Sequence, residues 1–141
     1  MMDSLPKILS PINSLDDAKR VIAAGADELY CGALMIGKFS SFVLYRGPGT
    51  PRGIKKERCA QRITYDELGK IVEYAHQHGV KVIVVANEPF MSDTLKAEMG
   101  DHIQACLDKQ ADALIIGDIG TLQMVKDMGV KVPLYASTYF V

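Results

Sequence analysis

Short apolar runs alternate with longer amphipathic stretches along the whole chain. Five of these runs have the length and the β-branched content of strands. Most are apolar at consecutive positions, which is typical of parallel strands that are buried on both faces. The predicted strands are Lys7–Ser10, Glu28–Cys31, Lys81–Ala86, Ala113–Ile116 and Leu134–Ala136.

Between the strands, apolar residues recur at helical spacing, and polar residues stand where helix N-caps belong. Ser14 and Thr64 are each followed three residues later by an acid, as in a capping box. A third helix begins near Ser92 or Asp93, and a fourth at about Asp118. The glycines that fit the C′ position after three of these helices are Gly25, Gly79 and Gly129.

Two pairs of segments resemble each other, Ala26–Gly32 with Ala111–Gly117 and Gly79–Val82 with Gly129–Val132. The repeat indicates one strand–helix unit used several times, and residues 1–141 are therefore predicted to form a single α/β domain. Two architectures fit. One is the first half of a TIM-like (β/α)8 barrel, which we expect because the chain stops just past a strand. The other is a flavodoxin-like doubly wound sheet of five strands, which the chain length favours.

Residues 33–63 interrupt this rhythm with a long basic loop. Its seven basic side chains face one acid, Glu57, and it also holds three aromatic residues. Such a loop could contact the phosphates and bases of RNA, or it could be a solvated insertion. The residues that we predict to bind substrate here are Arg52, Lys55, Lys56 and Arg58.

Composition narrows the protein class without identifying an activity. The net charge of −1 argues against a protein that coats nucleic acid, and the apolar runs are too short to cross a bilayer. Three scattered cysteines and no visible signal peptide indicate a cytoplasmic protein without a disulfide framework or a metal site. Cys31 and Cys106 are expected to be buried free thiols. The histidines, which we expect at the surface, are His76, His78 and His102.

Ligands of α/β folds bind at the carboxyl ends of the strands, so the polar residues that follow the predicted strands are the candidate catalytic groups. They are Asn87, Glu88, Asp118, Ser137 and Thr138. Glu88 is suited to acid–base work or metal binding, or it is a solvent-facing loop acid. Asp118 has the alternative role of a helix N-cap. Ser137 lacks the G-x-S-x-G context of a hydrolase nucleophile.

A series of short motifs runs along the chain in a fixed order. They are Ile8–Pro11 with Ser14 and Leu15, Ala24–Gly32, Tyr65–Leu68, Tyr74–His76, Gly79–Val82 with Asn87, Ala111–Ile115 with Asp118–Gly120, and Ala136–Thr138. Together they resemble the N-terminal region of the peptidase U32 family, also called collagenase-like proteases. The resemblance implies part of a barrel domain from a longer protein.

The resemblance also implies an activity, that of a protease or hydrolase acting on a peptide or small molecule. This short chain would lack the C-terminal part that the activity needs. Some relatives instead hydroxylate RNA bases or ubiquinone precursors without oxygen, using an iron–sulfur cluster whose cysteines lie in the later half. No cofactor is therefore expected within this chain. A non-catalytic binding or scaffold module is the third alternative, and the open sheet edges predict a homo-oligomer.

Overall fold

The computed structural model describes residues 5–33, 63–87, 93–138 and 140, which form one parallel sheet with helices packed against one of its faces. The strands are β1 (Leu9–Pro11), β2 (Glu28–Cys31), β3 (Lys81–Ala86), β4 (Ala113–Ile116) and β5 (Leu134–Ala136). The helices are α1 (Leu15–Ala23), α2 (Tyr65–Gln77), α3 (Asp93–Asp108) and α4 (Ile119–Asp127).

The strands lie in the sheet in the order in which they occur in the chain, and every adjacent pair is parallel. A doubly wound sheet places its first strand in the interior, so the sequential order excludes the flavodoxin-like alternative. Right-handed crossovers that always advance in one direction put the helices on one face, as in a (β/α)8 barrel. The prediction of a partial barrel is therefore confirmed.

The first strand differs from its predicted bounds. It covers Leu9–Pro11 instead of Lys7–Ser10, because the backbone of Ile8 is held at the turn before β2, where its carbonyl accepts from the amides of Asp27 and Glu28. Pro11 is tolerated inside the strand because β1 lies at the edge of the sheet, where a missing amide donor breaks no ladder bond on the open side.

The predicted helix caps are confirmed. Ser14 Oγ accepts from the amide of Asp17 at 3.1 Å, and Thr64 Oγ1 accepts from the amide of Glu67 at 3.2 Å. The three helices that precede C′ glycines end in left-handed residues, with φ values of 99°, 70° and 72° at Gly25, Gly79 and Gly129. Only glycine adopts such φ values without a steric penalty, so these positions fix where the helices end.

The repeated segments carry a repeated hydrogen bond. Asp27, just before β2, accepts from the amide of Ile8 at 2.7 Å, and Asp112, just before β4, accepts from the amide of Val82 at 2.7 Å. In each case the carboxylate joins the start of its own strand to the start of the strand before it. The repeat is therefore a structural device at the amino end of the sheet, opposite the candidate site.

The two faces of the sheet are covered differently. On the helix-covered face, six side chains of β2–β4 are at most 2% exposed and belong to one core cluster with α1–α4; they are Leu29, Cys31, Val82, Val84, Leu114 and Ile116. The opposite face, called here the open face, consists of Leu9, Tyr30, Ile83, Val85, Ile115 and Tyr135. No residue of the open face belongs to that cluster. Leu9 and Tyr135, on the edge strands, are 45% and 44% exposed, whereas Ile83 and Val85, in the middle of the face, are 1% and 7% exposed.

In the described ranges, no helix is both long enough and apolar enough to cross a membrane.

Candidate functional site

Two of the predicted catalytic residues meet at the carboxyl end of the sheet. Asn87 directly follows β3, and Ser137 directly follows β5. The Asn87 side-chain amide donates from Nδ2 to Ser137 Oγ at 3.0 Å, and both residues are half-buried. The backbone amide of Ser137 donates to the carbonyl of Ile116 at 2.8 Å, so β4 holds Ser137 in place. The structure therefore brings together two of the polar residues that follow the strands.

A cavity of about 310 Å³ lies against the open face beneath this pair. The six open-face side chains form its apolar wall, whereas Asn87, Ser137 and Thr138 supply its polar groups. A cavity that combines an apolar wall with a few convergent polar groups is the usual form of a small-molecule site. Its volume falls at the lower end of the range of about 300–1,000 Å³ that such sites occupy.

Register explains how the wall is built. Val85, Ile115 and Tyr135 are paired residues on β3, β4 and β5, so they form one row across the sheet. Tyr30 pairs with Ile83 in a second row nearer β1. Side chains two residues apart on a strand share a face, and β3 accordingly contributes both Ile83 and Val85 to the cavity wall.

Asp118, also predicted at this edge, is engaged in a helix cap. Its Oδ1 accepts from the amide of Thr121 at 2.8 Å, and its Oδ2 accepts from the Thr121 hydroxyl at 2.8 Å. Both carboxylate oxygens therefore stabilise the start of α4. Glu88 and the predicted substrate-binding residues Arg52, Lys55, Lys56 and Arg58 lie outside the described residues.

The prediction of three surface histidines is wrong for one of them. His102 is 2% exposed because it lies on the inner side of α3, where its Nδ1 is 2.7 Å from the hydroxyl of Tyr65. Desolvation lowers the pKa of His102 to about 4, and burial raises the pKa of Tyr65 to about 12. The ring is therefore neutral near pH 7, and its hydrogen bond with the phenol joins α3 to α2.

The other two histidines are exposed, as predicted, and each is hydrogen-bonded. His76 Nε2 is 2.9 Å from Asp112 Oδ2, and His78 Nδ1 donates to the carbonyl of Tyr74 at 2.8 Å. The first bond joins the end of α2 to the residue before β4, and the second lies within the last turn of α2.

Cys31 and Cys106 are buried free thiols, as predicted. Burial raises the pKa of each thiol to about 12, so neither supplies a thiolate at neutral pH. Among the residues that the structure describes, no three His, Cys, Asp or Glu side chains are grouped so that they could hold a metal ion.

Sequence reasoning missed the two tyrosines of the cavity, Tyr30 and Tyr135. The sequence pattern assigns both to apolar strands, and a continuous apolar run does not show which of its residues share a face. The signal was available in part. Once a barrel is assumed, alternate strand residues point to its interior, and Tyr30 and Tyr135 are the large polar-tipped residues on that side.

A family model, peptidase family U32, matches residues 13–140 of the chain. An uncharacterized protease of Methanocaldococcus jannaschii is 27% identical over 126 residues, which are 89% of this chain and 26% of that protein. The tRNA hydroxylation protein P2 of Bacillus subtilis is 30% identical over 81 residues, which are 57% of this chain and 26% of that protein. The chain thus spans about a quarter of the length of the relatives that it matches.

Among solved structures, the chain is similar to a protein assigned as an alpha amylase in Salmonella typhimurium. The TM-score is 0.52 at 10% sequence identity, with 92% of this chain and 31% of that chain covered. At that identity the similarity concerns the fold alone, and it agrees with a partial (β/α) barrel.

Proposed function

The chain belongs to peptidase family U32, and we propose that it forms the substrate-binding part of an enzyme that modifies bases of RNA. The observation that carries the proposal is the cavity on the open face, which has tyrosines in its wall and an amide at its carboxyl end.

The chemistry of the cavity suits a nucleobase. Proteins that bind an unstacked base place it against aromatic or apolar side chains and bind its polar edge with amides or hydroxyls. Here Tyr30 and Tyr135 offer the aromatic surface, and Asn87, Ser137 and Thr138 offer donors and acceptors at one end. The amide of Asn87 is oriented by its bond to Ser137, so its remaining donor and acceptor are presented to a bound group.

The relatives support this choice of substrate. A protein that is 30% identical over the matched segment is named for tRNA hydroxylation. The matched segment covers 57% of this chain. A hydroxylase of RNA has to hold one base in a defined orientation, and this is the task that the cavity can perform.

An iron–sulfur cluster, which the family resemblance implies for hydroxylating members, needs cysteine thiolates. The described cysteines, Cys31 and Cys106, are buried in the helix-covered core with their thiol pKa raised to about 12. They do not fit such a group, and Cys59 lies outside the described residues. No step is therefore assigned to a cluster here, and the proposed role of this chain is to bind and orient the substrate.

Peptide cleavage is the second candidate, because one relative is named a protease and Ser137 stands at the mouth of the cavity. A serine nucleophile needs a base, most often a histidine. The three histidines lie elsewhere: His76 and His78 are at the end of α2, on the amino side of the sheet, and His102 is buried between α3 and α2. This placement of the histidines favours the binding of a nucleobase over the cleavage of a peptide.

The test is equilibrium binding by the 141-residue chain. Each of the four ribonucleosides, an unmodified tRNA transcript and a gelatin-derived peptide is titrated, with NMR of isotope-labelled protein as the readout. We expect at least one ribonucleoside to shift the resonances of Tyr135 and Asn87. Replacing Tyr135 by Ala should lower the affinity for it about tenfold or more, because stacking contributes about 1–3 kcal/mol per base.

Tyr74→Ala is the matched control, since Tyr74 lies on α2, where its ring contacts His78 and the ammonium of Lys19, outside the cavity. Equal losses in the two variants would contradict the proposal. Cleavage of the peptide, abolished by Ser137→Ala, would establish the second candidate in its place.

The predicted basic residues give a separate test of RNA as the substrate. Neutralising Arg52, Lys55, Lys56 and Arg58 should weaken tRNA binding and reduce its salt dependence, because each phosphate contact releases counterions. Binding of the free ribonucleoside should be unchanged, since it carries no phosphate. A tRNA affinity that ignores the four substitutions would remove this loop from the proposed interface.

A further inference from the structure

The end of β4 passes very close to the end of β3. A Cβ atom built on Gly117, which directly follows β4, would lie 2.6 Å from the carbonyl carbon of Asn87 and 3.0 Å from its Cα, and would overlap its carbonyl oxygen. These are backbone atoms of the neighbouring strand end, so they cannot turn aside as a flexible side chain can. Any residue larger than glycine must push the Asn87 backbone away.

The need for glycine at this position is one of space alone. The glycines with positive φ are Gly25, Gly79 and Gly129, which end helices and have open space where a Cβ would stand. Gly117 is not among them, so its backbone conformation is open to other residues. What excludes a side chain is the peptide of Asn87.

The close approach has a consequence for the cavity. Asn87 and Ser137 follow β3 and β5, which are separated by β4, so the strands that carry them lie about 10 Å apart in a flat sheet. The side chain of Asn87 nevertheless reaches Ser137 Oγ at 3.0 Å. It does so across the end of β4, where Gly117 has no side chain.

We propose that Gly117 is a positioning residue, which seats the Asn87 backbone on the end of β4 so that the Asn87 amide points into the cavity. The consequence for ligand binding rests on the function proposed above. The position of the Asn87 backbone on the end of β4 does not rest on that function, because it is a property of the ligand-free protein.

The test compares Gly117→Ala with Gly100→Ala. Gly100 lies in α3, where an added Cβ meets only the sulfur atoms of Met124 and Met128, each at an ordinary contact distance of 3.8 Å. In ligand-free protein, Gly117→Ala should shift the side-chain amide resonances of Asn87, and Gly100→Ala should leave them in place. Unshifted Asn87 resonances in folded Gly117→Ala would overturn the proposal whether or not the protein binds a base.

Binding provides a second readout, with the ribonucleoside that shifts the wild-type spectrum as the probe. Gly117→Ala should weaken its binding as much as Asn87→Ala does, by about tenfold. In an Asn87→Ala background it should add less than about twofold, because the group that it positions is already gone. A full additional loss would show that Gly117 acts on something other than the Asn87 side chain, and would overturn the proposal.

Ser137→Ala keeps the test decisive if Gly117→Ala does not fold. Ser137 also supplies a polar group to the cavity, so the readout is taken from the ligand-free protein and not from the affinity. If the backbone contact at Gly117 seats Asn87, the nuclear Overhauser effects between the α protons of Gly117 and the backbone of Asn87 should persist without the Ser137 hydroxyl. Their loss would assign the positioning to Ser137 and exclude Gly117.

Discussion

The two faces of the sheet are built from the same kinds of residues and have different surroundings. On β4, Leu114 lies on the helix-covered face with no exposed surface, and its neighbour Ile115 lies on the open face and lines the cavity. Apolar content therefore does not separate a core position from a binding position in this fold. The difference lies in what stands opposite, four helices on one side and a cavity on the other.

Polar groups differ between the faces in the same way. Beneath the helices, the ring of His102 is enclosed and its partner Tyr65 is 2.7 Å away. At the open face, Asn87 and Ser137 bond to each other and are only half-buried. A buried polar group must be bonded internally to offset its desolvation, whereas a half-buried side chain such as that of Asn87 stays accessible to a ligand.

The largest effect that would test this contrast is on stability. Leu114→Ala should lower the free energy of unfolding by about 3 kcal/mol, because it removes a fully buried side chain and leaves a cavity beneath the helices. Ile115→Ala, one residue along, should cost less than half as much, because the open face is not covered by helices. Urea unfolding of both variants measures the difference.

These adjacent substitutions remove side chains of similar size from one strand, so each is the control for the other. Equal losses would mean that Ile115 is packed as tightly as Leu114. The open face would then be an internal core of the molecule, and the cavity would not be available to a ligand.

The second effect concerns pH and belongs to the helix-covered side. The unfolded chain protonates His102 near pH 6.5, and the folded protein does so only near pH 4. Between these values the unfolded state binds more protons, so the folded state loses stability as the pH falls from 6.5 to 4, and this loss levels off below pH 4. The contribution is roughly 2–3 kcal/mol.

Urea unfolding at a series of pH values, compared between wild type and His102→Gln, isolates this contribution because all carboxylates are shared. The variant should lose less stability on acidification. Tyr65→Phe should keep the wild-type slope, since burial lowers the pKa of His102 and the phenol does not cause the shift. A slope that disappears in Tyr65→Phe would assign the shift to the hydrogen bond.

The fold was predictable because local signals agree with it. Ser14 and Thr64 are caps whose chemistry is written in consecutive residues, and the glycines after the helices require a φ that only glycine adopts freely. The bounds of β1 were wrong because they depend on bonds to Asp27 and Glu28, which lie on another turn. The hydrophobic pattern does not predict the order of the strands, because periodicity carries no information about which strands are neighbours in a sheet.

The site was only half predictable. Strand ends identified Asn87 and Ser137, because parallel strands bring their carboxyl ends to one edge. The role of Gly117 depends on the distance between the ends of β4 and β3, and this distance cannot be read from the sequence. His102 was misplaced at the surface for a related reason. Whether a helical histidine faces solvent depends on which side of the helix packs, and Tyr65 is distant from it in the chain.

The smallest effect concerns what covers the open face in solution. β1 and β5 form the edges of the sheet, and both carry an exposed apolar residue on the open face, Leu9 and Tyr135. Unpaired parallel edges favour association, so we expect a homodimer or a larger oligomer at micromolar concentration, as measured by light scattering.

Replacing Leu9 and Tyr135 by Lys should raise the dissociation constant about tenfold or more. Ile119→Lys is the control, because Ile119 is 66% exposed but lies on α4 and not on a strand of the sheet. An oligomer that persists in the double variant and dissociates in Ile119→Lys would place the contact on the helices. A monomeric wild type would leave the open face free, and would then predict that ribonucleoside affinity does not change with protein concentration.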